Sequence, residues 1–202
     1  MTRTGPAEEL AAPLGAAEVG RLVFARGASH LTIGVDGTLE DLYRARFGGK
    51  TPEVVVDGGT VTVRYRMGLR PPRGEMTLSG RIPWAIEARM GISEVVADLE
   101  ELRLTGLTIS GGASRIQARL PRPEDTVPVR IGGGASQMEL IRPAGVGVRV
   151  RIGAGTSKLA IDDFRLEAGG GKTDWRSPDY DSAGSRYDIE IGAGGSRITI
   201  RN

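Results

Sequence analysis

A lysine behind three glycines, Gly169-Gly170-Gly171-Lys172-Thr173, has the ending of a phosphate-binding loop, in which backbone N–H groups cradle phosphate and the lysine reaches its oxygens. Such a loop needs another glycine where Leu166 stands, and a helix behind it to aim N–H groups at the anion. Asp174-Trp175-Arg176-Ser177-Pro178 follows instead, so the stretch reads as a glycine turn. Asp179, Asp181, Gly184 and Glu190 occupy the first, third, sixth and twelfth positions of a calcium loop. Ala183 removes the ligand due at the fifth position and Glu190 falls in an alternating strand, so this is chance acidic spacing. Asp162-Asp163 and Glu100-Glu101 are carboxylate pairs of the kind glycoside hydrolysis uses, but they sit beside turns in different repeats, as solvated strand ends do. His30 is the single histidine, which excludes histidine-cluster metal sites, and nothing pairs it with an obvious nucleophile. The chain has no cysteine, which excludes disulfides and thiolate metal sites. No catalytic, cofactor-binding or metal-ligating residue is assigned, and no cofactor is expected.

The serines look like nucleophiles until their spacing is measured. Ile109-Ser-Gly-Gly-Ala-Ser114-Arg-Ile116 recurs as Ile131-Gly-Gly-Gly-Ala-Ser136-Gln-Met138, Ile152-Gly-Ala-Gly-Thr-Ser157-Lys-Leu159 and Ile191-Gly-Ala-Gly-Gly-Ser196-Arg-Ile198, with a weaker copy at Met90-Gly-Ile-Ser93. Ser93, Ser114, Ser136 and Ser157 lie 21, 22 and 21 residues apart, and Ser196 follows after 39. A fixed period in this range marks a coiled β-structure, with a few short strands per coil stacked at about 4.8 Å. A catalytic serine is made once, whereas a serine on every repeat belongs to a corner. Corner glycines are expected to supply positive φ and close approach, and the serines to bond neighbouring backbone groups.

The elements around these corners alternate. Ile116, Ala118 and Leu120 point one way and Arg115, Gln117 and Arg119 the other; Ile189, Ile191, Ile198 and Ile200 likewise oppose Glu190, Arg197, Thr199 and Arg201. The expected fold is all-β: a glycine-rich β-solenoid (β-helix-like) with a period of 21–22 residues over 75–202, preceded by a small β-subdomain over 20–70 and a flexible lead-in over 1–19. Asp57-Gly58-Gly59 between two valine-rich runs signals a hairpin, and Leu69-Arg70-Pro71-Pro72-Arg73-Gly74 marks the subdomain boundary. In the 39-residue interval, a degenerate coil is expected around Leu166–Gly171, followed by a looped-out segment whose aromatics cover the solenoid flank. The last strand, Arg197 to Arg201, is expected at an open solenoid end covered by a loop, by the N-terminal subdomain or by a second copy.

The 202 residues include 31 glycines, and the net charge is +2 with lysine only at Lys50, Lys158 and Lys172. That modest charge is spread along the chain, which argues against nucleic-acid binding. No stretch approaches the ~20 apolar residues of a membrane helix, and Met1-Thr-Arg-Thr-Gly-Pro6 leads into no apolar signal core. The chain as written therefore reads as cytoplasmic, with membrane association through a partner as the alternative. The residues following the phrase serines, Glu94, Arg115, Gln137, Lys158 and Arg197, should form one outward column, with Arg130, Arg149 and Arg151 adding charge before the turns. Arg115, Lys158, Arg197, Arg149 and Arg151, with Trp175 and Tyr180 from the irregular stretch, are the candidate interaction surface. An anionic polymer or lipid head group would suit it.

Trp84, the four glycine–serine phrases, then Trp175, Tyr180, Tyr187 and Ile189–Ile200 resemble the cell wall-active antibiotics response family, the LiaF-like proteins. Leu22-Val-Phe-Ala-Arg-Gly-Ala-Ser-His-Leu-Thr-Ile33, with Val61-Thr-Val63 behind it, resembles the toast-rack N-terminal domain of that group. The resemblance implies a non-enzymatic binding or scaffold module linked to envelope-stress sensing through protein contacts, with no catalytic residues. The alternative from fold analogy is a polysaccharide-binding or polysaccharide-active β-helix.

Overall fold

The computed structural model describes residues 8–49, 51–65 and 73–202. Among the described residues the regular elements are nineteen β-strands, arranged as a ten-stranded front sheet and a nine-stranded back sheet. The repeating unit is a back strand, a glycine corner and a front strand. Such units are β8 (Pro83–Ala88) with β9 (Ile92–Asp98), β10 (Arg103–Ile109) with β11 (Ala113–Arg119), and β12 (Thr126–Ile131) with β13 (Ala135–Ile141). So are β14 (Gly147–Ile152) with β15 (Thr156–Ile161), and β18 (Arg186–Ile191) with β19 (Gly195–Arg201). Each coil pairs in parallel with its neighbours, and the serines share one register: Ser29, Ser93, Ser114, Ser136, Ser196, Ser157. This is the all-β solenoid that the period and alternation imply.

The stacking order departs from chain order. β19 lies between β13 and β15, and β18 between β12 and β14, so the last coil is inserted between two earlier ones. The last strand is therefore interior, not an open edge. The other end is arranged alike: the coil of β2 (Gly20–Phe24) and β3 (Ala28–Asp36) sits between β8–β9 and the pair β6 (Thr60–Arg64) and β7 (Gly74–Ser79).

Antiparallel strands close both ends. β5 (Glu53–Asp57) pairs with β6 through the expected hairpin; β4 (Asp41–Phe47) pairs with β7, and β1 (Glu8–Pro13) with β4. From Glu8 the chain is thus a paired strand where a loose lead-in is expected. Opposite them, β16 (Phe164–Gly169) pairs with β15 and β17 (Thr173–Arg176) with β14. No degenerate coil fills the 39-residue interval; antiparallel capping strands do. Both sheets run past the boundary expected near residues 69–74, of which 69–72 lie outside the described residues.

Inward residues of both sheets form one apolar core from Leu22 to Ile200, with Phe164, Leu166 and Trp175 packed on its end. Buried Trp84 donates Nε1–H to Ser79 O at 2.9 Å, and Gly20 lies beneath its ring, where a Cβ would stand 2.3 Å from the indole. At the corners glycine serves close approach: a Cβ on Gly192 would lie 2.5 Å from Gly132 O. Among these corner glycines positive φ belongs to Gly27 alone, at 75°, and otherwise falls elsewhere. Of the other phrase residues, it belongs to the one after each serine: His30, Glu94, Arg115, Gln137, Lys158 and Arg197, at 52–55°.

Candidate interaction surface

Six non-glycine residues in the left-handed region each cost about 1–2 kcal/mol of backbone strain, and the flanking ladders hold them there. The geometric result is a bulge that the register skips: Ser114 pairs with Ser136 and Ile116 with Met138, leaving Arg115 and Gln137 outside the ladder. Each serine and its successor thus face outward together, before the chain turns inward at the next apolar residue. The expected column exists on the front sheet, in stacking order His30, Glu94, Arg115, Gln137, Arg197, Lys158.

Its two halves differ electrostatically. Glu94 bridges His30 Nε2 and Arg115 Nη2, both at 2.5 Å, so this half neutralises itself. Gln137 is uncharged, and Arg197 and Lys158 form no ion pair among the described residues. One row along, Arg201 reaches Glu139 at 3.0 Å and Gln117 donates to the same carboxylate at 3.3 Å.

His30 has a hydroxyl neighbour that the pattern does not show. A carboxylate only accepts, so Nε2–H donates to Glu94, while Nδ1 lies 2.8 Å from Ser29 Oγ. Ser29 Oγ also lies 3.0 Å from Ser93 Oγ. The order hydroxyl–imidazole–carboxylate is that of a nucleophile relay. Yet His30 and Glu94 are 43% and 34% exposed on an open sheet face, and Arg115 holds the same carboxylate. Acyl transfer wants donors converging on an oxyanion in a water-excluded site, so the contact reads as a polar cross-strand link.

The remaining candidates do not join this face. Arg149 and Arg151 project from β14 on the back sheet, inside an acidic ladder: Arg149 with Asp174 at 2.6 Å, and Arg151 with Asp188 at 2.9 Å and Glu190 at 3.3 Å. The hydrogen bond from Arg149 holds the Asp174 carboxyl below its ordinary value, as the bond from Arg21 does for Glu87. Trp175 lies opposite inward Val150 and packs on Phe164, ring centroids 5.9 Å apart, as a lid on the core end. Tyr180 stands in the segment after β17 with the Arg186 guanidinium 5.5 Å over its ring. The seven residues thus occupy two opposite faces, a core end and a linker.

The other tempting motifs resolve into turns and pairs. Gly169 ends β16 and Thr173 opens β17, so a strand follows the lysine. Asp181 binds Arg176 at 3.0 Å, while Glu190 engages Arg151. Asp162 accepts two bonds from Arg142, from Nη1 at 2.8 Å and Nη2 at 2.7 Å, and Arg142 Nε donates to Val146 O at 2.9 Å. That clamp crosses the end of β19: Arg142 N–H donates to Arg201 O at 2.8 Å and Asp162 N–H to Ile200 O at 2.9 Å. Its sequence signals are a charged residue just behind an apolar strand, at Arg142, and the carboxylate pair Asp162-Asp163.

Fold and surface define a closed-ended, two-sheet β-solenoid with charged outer faces. Residues 43–141 match the family described as the N-terminal domain of toast_rack, DUF2154, and the chain carries a toast-rack-like domain. Among solved structures it is similar to one provisionally described as a cell adhesion protein from Clostridium sporogenes, with a TM-score of 0.65, 18% identity, and coverage of 97% of this chain and 99% of that one. At that identity the likeness concerns the fold. The comparison with curated proteins returned no match. No helix among the described residues is long and apolar enough to cross a membrane.

Proposed function

We propose that this protein is a binding or scaffold module without enzymatic activity, acting in bacterial envelope-stress sensing of the LiaF-like type through protein contacts on the front sheet. The observation that carries the reading is the column of outward side chains, fixed at one-strand spacing by left-handed bulges on an open face. A rigid, regularly spaced surface suits recognition, because little side-chain and loop ordering remains for binding to impose. The toast-rack-like domain supports the non-catalytic class, and the description of the structural neighbour as an adhesion protein supports surface contact. Arg197 and Lys158 are the proposed anchors, since their charges remain available to an acidic partner surface.

The test places a photo-crosslinking residue at Gln137 in the native host and identifies captured proteins with and without Lys158→Glu/Arg197→Glu. Capture of an envelope signalling component, lost on charge reversal, is expected. A defined cleavage product from a glycan substrate, or capture unaffected by charge reversal, would overturn the reading in favour of a polysaccharide-active protein or another face.

A further inference from the structure

We propose that the β18–β19 coil is an exchangeable insert, and that the slot it occupies accepts the same coil from a second copy of this chain.

The coil stands out of order. β12–β13 and β14–β15 are consecutive in the chain, yet they touch the inserted coil and are not strand partners of each other. The flanking strands are nevertheless matched. Ser136 and Ser157 both pair with Ser196, Met138 and Leu159 both with Ile198, and Leu140 and Ile161 both with Ile200. In the back sheet Val129 and Val150 both pair with Ile189, and Ile131 and Ile152 both with Ile191. With the insert gone, the two flanking coils can close on each other with serine on serine and apolar residue on apolar residue. Two inter-coil interfaces are then replaced by one, so a vacated slot either closes on itself or is refilled by the coil of a second copy. The same chain thereby has two self-consistent stacks.

The linker permits the movement. Ser177 fixes its near end to β14, donating N–H to Val148 O at 2.8 Å and accepting Val148 N–H on Oγ at 3.0 Å. Beyond it Ser182 and Ala183 N–H bond to Asp179 O within the segment, and few ties hold it to the body: Arg176 to Asp181 at 3.0 Å, Gly147 N–H to Ser185 O at 3.0 Å and Arg186 N–H to Asp125 O at 3.3 Å. The released coil carries Tyr187, Ile189, Ile191, Ile198 and Ile200, all at most 1% exposed in the inserted state. Such a surface needs cover, and the slot of another copy supplies every contact it has left. Exchange between copies is the low-cost route for that reason.

The native chain has no cysteine, so engineered thiols report the stack directly. Cα atoms at 136 and 157 stand two strand spacings apart in the inserted state, about 9.6 Å, beyond the ~7 Å limit of a disulfide. They become neighbours when the slot closes. Ser136→Cys/Ser157→Cys is expected to oxidise slowly in dilute urea, and Ser136→Cys/Ser196→Cys quickly in buffer. For exchange, separately tagged Ser136→Cys and Ser196→Cys chains are mixed in dilute urea, returned to buffer and oxidised. At least tenfold more disulfide heterodimer is expected than with a Ser29→Cys chain as the partner of Ser196→Cys. Heterodimer no greater than that control overturns the proposal. It does so even if Ser136→Cys/Ser157→Cys forms its bond, which would show a slot that closes without taking a second copy.

Discussion

Asp162→Asn isolates the charge of the Arg142–Asp162 clamp. Asp162 sits at φ 48°, a conformation asparagine adopts readily, so the backbone is unperturbed. The Arg142 side chain is 4% exposed and loses its counter-charge, keeping Val146 O as a full acceptor. Breaking a buried ion pair from one side costs about 3–5 kcal/mol. Because the Asp162 side chain is 23% exposed, water reaches one partner, and the expected loss is about 2–4 kcal/mol. In a chain of this size that is a fall in Tm of roughly 5–15 °C. Urea unfolding of single-tryptophan versions separates the two ends, since Trp84 reports from β8 and Trp175 from the cap on β14. The Trp175 transition should move to lower urea by more than the Trp84 transition. Arg142→Met/Asp162→Asn should recover part of the loss, because an apolar side chain tolerates the site that an unpaired guanidinium does not. A loss under about 0.5 kcal/mol, or a double variant no more stable than Asp162→Asn, would refute the argument that the buried charge is what the clamp compensates.

Gly192→Ala puts a Cβ 2.5 Å from Gly132 O and should cost about 1–3 kcal/mol, whereas Gly170→Ala meets nothing within 4 Å and should leave Tm unchanged within error. Tyr187→Phe removes the buried hydroxyl that donates to Pro121 O at 2.8 Å, and about 1–2 kcal/mol should disappear from the urea-derived stability. Burial pushes the Tyr65 phenol up from 10.0 to about 12, and Tyr187 up in the same way. The unfolded chain releases these protons first, so their contribution is whole below pH 10 and falls as pH rises through 10 toward 12. Urea midpoints measured from about pH 9 to about pH 11.5 should decline in that window, and less steeply in Tyr65→Phe.

Period, alternation and the serine register are local properties, and they were legible along the chain. Residues one coil apart must repeat if coils stack, and a strand buried on one face must alternate, so Ile116, Met138, Leu159 and Ile198 declare their positions unaided. The outward column after the serines was legible for the same reason. Its backbone was not: a bulge that sends Ser114 and Arg115 outward together looks, in letters, like any strand interior, and the glycines beside it draw the positive φ to themselves. Nor could the pattern say that Arg149 and Arg151 face away from Arg115, since a coil's two strands present opposite faces of the molecule and their charges read alike in one dimension. His30 met its serine and its carboxylate through a neighbour in sequence and a neighbour in the stack, and only the second requires folding to see.

The amino-acid sequence alone determined that coils form, how long they are and which side chains they bury, because these follow from backbone period and water exclusion within one repeat. Which coil lies on which was decided by tertiary structure. The repeats share one register, so every coil is an acceptable neighbour for every other, and local pattern is silent between them. The choice falls to groups that act across the stack: Phe164, Leu166 and Trp175 sealing the end, Arg142 and Asp162 closing over β19, and Tyr187 reaching Pro121.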